Sequence, residues 1–116
     1  MQNIQKPTED MLRELTFLCE YFEMPVEKIT GRERKLPVII ARHFITTYFY
    51  KHSGRVLSSP SVGYMIGGRG HATVLSACKA VTNWTSNNNA MKKKWDLFLE
   101  YAKNSTATHF DNVPQL

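Results

Sequence analysis

The segment Ser59–Trp84 constrains this chain more than any other. Ser58-Ser59-Pro60 is a helix start, with a serine able to cap and a proline suited to the first turn. Val62 and Ile66 follow four residues apart, and Gly67-Gly68-Arg69-Gly70 then breaks the pattern. Helical spacing resumes at once: Val74, Leu75, Cys78, Val81 and Trp84 fall on one face, while His71, Ser76, Lys79 and Asn83 fall on others. A short helix, a glycine turn and a longer helix is the order of a helix-turn-helix, although a plain hairpin of core helices has the same outline. A phosphate-binding loop needs a preceding strand and a Lys-Ser or Lys-Thr after the glycines. Neither is present, and no β-α-β unit surrounds the glycines, so nucleotide binding is not expected.

The flanking sequence is helical as well. Residues 6–24 read as a first helix, with Thr8 as N-cap, Glu9 and Asp10 in the first turn, and Met11, Leu12, Leu15, Leu18, Cys19 and Phe22 as the apolar face. Residues 25–31 supply one or two short turns, followed by the exposed basic loop Arg32-Glu33-Arg34-Lys35. Residues 36–54 form a central helix of about eighteen residues, entered at Pro37 and ended by Gly54, apolar nearly all round. Residues 85–89 are expected as a loop. The last helix, from Ala90, turns Met91, Trp95, Phe98, Leu99 and Ala102 inward, and a flexible tail is expected from about 105. The expectation is all-α: a single domain over 1–116, a bundle of about five to six helices.

Charge sets the class of partner. The 116 residues carry a formal net charge of +5, with all ten acids at Glu9–Glu33 or at Asp96, Glu100 and Asp111. Between Arg34 and Trp95 there is no acid, while Arg34, Lys35, Arg42, Lys51, Arg55, Arg69, Lys79 and Lys92 to Lys94 are all basic. Such polarity favours a polyanion. A membrane surface is the weaker choice, since no helix pairs a basic face with an exposed apolar one. No apolar run is long enough to span a bilayer, and the polar start does not read as a signal peptide. Cys19 and Cys78 are expected as buried, reduced thiols of a cytoplasmic protein. The four histidines lack metal-ligand spacing, and the acid-free centre leaves no hydrolytic triad to assemble, so neither a metal, another cofactor nor an enzyme activity is expected. Tyr48, Phe49, Tyr50 and Tyr64 could stack on bases, with core packing the commoner use of such spacing.

"GGRGHATVLSACKAV" resembles the signature of the C-terminal DNA-binding domain of bacterial DnaA initiators, and the similarity extends through "EYFEMPVEKITGRERK", "ARHFITTYF" and "SSPSVGYMIGG", from about Leu12 to Leu99. The resemblance implies a Trp-repressor-like helix-turn-helix that binds A·T-containing boxes in double-stranded DNA. It implies Arg34 as a minor-groove arginine with Arg32 and Lys35 beside it, Arg42 on a phosphate, and His43 in place of a glutamine. Ser59 and Pro60 would start the helix lying against DNA. Arg69, Gly70, His71, Ala72 and Thr73 would stand exposed at the tip of the recognition helix, His71 on base and backbone and Thr73 on phosphate. Two positions depart from the family: Gly70 stands for an acid and Ala72 for a threonine, so direct readout is thinned and the target site can differ. About two extra residues sit in "KHSGRVLSS". The family's ATPase domain has no counterpart in these residues, so the chain is expected to be a free-standing relative or a piece of a larger replication protein. Two other readings compete: a DNA-binding module with little sequence preference or another site, as in a regulator or mobile-element protein, and a helical interaction module with a basic face.

Overall fold

The computed structural model describes residues 4–111, with side chains described to Asn104. Its elements are α1 (Glu9–Tyr21), α2 (Val26–Thr30), α3 (Leu36–Thr47), a π-helical turn (Tyr48–His52), α4 (Ser59–Met65), α5 (His71–Asn87) and α6 (Asn89–Asp111). The described residues are all-helical, as expected. The α6 backbone runs to Asp111, and the side chains of the expected tail, with residues 112–116, lie outside the described residues.

Local sequence explains most boundaries. The Thr8 hydroxyl accepts from the Met11 amide and starts α1, with Glu9 and Asp10 at its positive end. The Ser58 hydroxyl, rather than that of Ser59, caps α4 by accepting from the Ser61 amide. Glu23 closes α1 at φ +56°, a left-handed position usually filled by glycine.

Three expectations are corrected. The central helix is not uniformly α-helical, because its last turn widens to π geometry at Tyr48–His52. A π turn, bonded i to i+5, takes in more chain than an α turn. Second, residues 85–87 continue α5, and Asn88 alone separates it from α6, its side-chain oxygen accepting from the Met91 amide. Third, Leu12 and Leu75, expected inside, are 45% and 41% exposed.

The core gathers around α3. Phe44, Ile45, Tyr48 and Phe49 are buried against Leu15, Leu18 and Cys19 of α1, Val62 and Ile66 around α4, Val74 and Val81 of α5, and Trp95 and Phe98 of α6. Phe98 is ringed by Tyr21, Phe22, Phe44 and Trp95 at centroid distances of 5.3–5.7 Å. Both cysteines are buried free thiols, and burial, helped by Glu27 and Glu20, pushes the Cys19 thiol up to about 12. Buried Glu14 accepts from the Tyr48 hydroxyl at 2.6 Å and pairs with Arg55, fixing the segment that leads into α4.

Candidate nucleic-acid interface

The turn between α4 and α5 depends on three glycines in different ways. Gly63, inside α4, lies so close to the Arg69 backbone that a Cβ would sit 2.0 Å from the Arg69 carbonyl oxygen. The Arg69 amide donates to the Gly63 carbonyl at 2.7 Å. Gly67 has φ +94°, and a Cβ there would come within 2.1 Å of the Thr30 carbonyl oxygen. Gly68 has φ +75° with open space around it. By contrast Gly70, the N-cap of α5, has φ −81° and open space, so the backbone does not require glycine there. Gly63 was missed from sequence; a glycine inside an otherwise helical pattern was its only signal.

Arg69 requires a correction. It was expected to stand exposed at the helix tip, but its guanidinium turns back to donate to the carbonyls of Ile66, Thr30 and Gly31, the last at 2.5 Å. It fastens the turn to the end of α2. Arg42 is similarly occupied: it is buried, with Nε donating to the Ile29 carbonyl at 2.7 Å and Nη2 to that of Lys28 at 3.2 Å. A guanidinium suits this position because α2 ends in carbonyls without helical partners. Burial lowers the pKa of both arginines.

A cleft of about 350 Å³ opens beside these groups, lined by Arg32 and Arg34 of the basic loop, Ile39, Arg42, His43 and Thr46 of α3, and Thr73, Val74 and Ala77 of α5. Gly63, Ile66 and Arg69 complete its wall. Of the residues singled out from sequence, the structure thus brings Arg32, Arg34, Arg42, His43, Arg69 and Thr73 around one concavity. Lys35 is exposed as the N-cap of α3, outside that lining. His43 lies flat against Trp84, with ring centroids 5.4 Å apart and planes 11° from parallel. Burial first, then Arg42 and Arg69, lowers its pKa, favouring the neutral ring. The Trp84 partnership was missed from sequence, since the two residues are distant in the chain and only the fold joins them.

Ser59 and His71 meet across the motif, Oγ to Nδ1 at 2.8 Å. Pro60 is half-buried in the first turn of α4, and Gly70, His71, Ala72 and Thr73 are all exposed at the start of α5. The amides of Thr73 and Val74 already donate to the Gly70 carbonyl, so the amides of His71 and Ala72 form the positive tip of the helix.

The helix order and the glycine turn coincide with the sequence model described as the bacterial dnaA protein helix-turn-helix, which matches residues 15–81. The chain belongs to this DnaA helix-turn-helix family. Among similar curated proteins is the chromosomal replication initiator protein DnaA of Porphyromonas gingivalis, 34% identical over 77 residues, covering 61% of this chain and 16% of that protein. The DnaA of Flavobacterium psychrophilum is 32% identical over 98 residues, covering 79% of this chain and 20% of that protein. That of Bacteroides thetaiotaomicron is 37% identical over 67 residues, covering 58% and 14%. The matched part is about a sixth of the relatives' length. The match takes in α4, the glycine turn and α5 as far as Val81, and α6 lies beyond the matched residues.

Proposed function

We propose that this chain is a non-catalytic, sequence-preferring double-stranded DNA-binding domain of the DnaA type, working in or alongside a larger replication protein on the bacterial nucleoid in the cytoplasm. The observation that carries this reading is the basic cleft beside the start of α5: Arg32, Arg34 and Thr73 on its rim, with an uncovered helix N-terminus next to it. Phosphates would fix the register at the cleft and the helix tip, and α5 would enter the major groove. Arg34 would extend toward the minor groove. Among the described residues no helix is long and apolar enough to cross a membrane.

A second reading is duplex binding with little sequence preference. Gly70 and Ala72 favour it, because neither offers a polar group to a base edge. One titration separates the two. Duplexes bearing the family's box, randomised duplexes and anionic vesicles are compared at two salt concentrations. Tighter binding to the box than to random duplex supports sequence preference. Equal binding with a steep salt slope supports the second reading. Failure to bind either duplex at low salt overturns both.

A further inference from the structure

Helix α5 has a well-defined outward face. Val74, Ala77, Cys78 and Val81 are its buried residues. At about 100° per residue, the opposite stripe is Ala72, Ser76, Lys79 and Asn83, and all four are exposed. Two of the residues singled out from sequence at the helix tip are not on this stripe: His71 stands toward α4, bonded to Ser59, and Thr73 stands on the cleft side. On this stripe the first turn presents only the methyl of Ala72.

We infer that sequence is read one to two turns into α5, by Lys79 on a guanine with Ser76 on the adjacent base edge. This deepens the DNA-binding reading and rests on it. A first turn without bulk lets the helix axis approach the groove floor more closely. That approach brings the second and third turns within side-chain reach of the bases. Lys79 lies seven residues beyond Ala72, about 10.5 Å along the axis, or roughly three base pairs. A lysine ammonium there meets the O6 and N7 acceptors of guanine, and the Ser76 hydroxyl can donate or accept. Lys79 is uncommitted: among the described residues no carboxylate pairs with it, whereas Lys92 is held by Asp96 at 2.8 Å. No acid occurs anywhere in α5 to oppose the approach. Asn83 shares the stripe but lies a further turn along, where a straight helix leaves the curving groove.

Selection of bound duplexes from a random pool, by the wild-type chain and by Lys79→Ala and Lys79→Arg, tests the inference. The wild type should enrich guanine at one position. Lys79→Ala should lose that position alone, reducing discrimination of guanine from adenine there by about 5- to 100-fold, while other positions persist. Lys79→Arg should keep the guanine. If Lys79→Ala instead weakens all duplexes evenly and lowers the salt slope by about one, Lys79 is a phosphate contact and the inference fails. It also fails if the wild type shows a preference that Lys79→Ala leaves unchanged, with DNA binding itself intact. Absence of duplex binding by the wild type would overturn the functional reading as well.

Discussion

The Ser59 hydroxyl and Nδ1 of His71 stand 2.8 Å apart, so α4 orients the ring at the tip of α5. With Nδ1 held by the Ser59 hydroxyl, Nε2 is the ring nitrogen left to face a base or phosphate. His71→Ala should weaken binding to the preferred site by about 1–3 kcal/mol and flatten preference at the contacted position. Ser59→Ala should produce a smaller loss at the same position, because the ring is retained but no longer oriented. Fluorescence anisotropy with single-base-substituted duplexes measures both, and an unchanged profile for His71→Ala removes it from base contact.

Arg42 gives a different pair of readouts. Its two hydrogen bonds to the end of α2 make it part of the fold as well as of the cleft. Arg42→Ala should therefore destabilise the domain by about 2–4 kcal/mol, since charge-assisted bonds to buried carbonyls are lost. Bound duplexes of every sequence should weaken alike, as expected for loss of a phosphate contact. Chemical denaturation gives the first value and binding to random duplex the second. A selective loss at one base would contradict the phosphate assignment.

The glycines of the turn should separate cleanly on substitution. Gly67→Ala combines a left-handed φ with a close approach to the Thr30 carbonyl, and should cost about 2–4 kcal/mol. Gly68→Ala meets open space and should cost only about 1 kcal/mol for its backbone conformation. Gly70→Asp should stabilise by a few tenths of a kcal/mol, because an aspartate caps α5 where glycine leaves the cap bare. Thermal unfolding of the three variants tests the order. A Gly67→Ala protein as stable as the wild type would show that the turn can move away from α2.

Stability should fall as the solution is acidified through the histidine range. His43 and His52 both have pKa values held below the ordinary 6.5, chiefly by burial. The unfolded chain therefore takes up protons first. Stability from the neutral rings is complete above about pH 6.5 and declines below it, until the folded-state pKa values are passed. His43→Gln should remove the His43 share of this slope and leave that of His52. Denaturation midpoints between pH 5 and 8 measure the difference, and equal slopes for both proteins would sink the His43 assignment.

The sequence carried the helices and the site unequally. Helical spacing, the Thr8 cap and the glycine turn are local signals, and α1, α4 and α5 follow them closely. Side-chain destinations are not local. Arg69 and Arg42 look like free cations in sequence because nothing there announces the carbonyls of α2 that receive them. The π turn escaped as well, since apolar periodicity at Tyr48–His52 fits an α-helix. Leu75 was assigned to the core because the face of α5 was drawn too wide.

The Arg69 clamp on α2 has a consequence for how the domain meets DNA. The glycine turn, a segment that would otherwise sample many conformations, is ordered while the protein is still free. Its entropy is surrendered during folding, so binding of DNA there would freeze little additional backbone at the tip of α5. The motif is in this sense preorganised, and encounter with a duplex becomes a docking of two nearly finished surfaces.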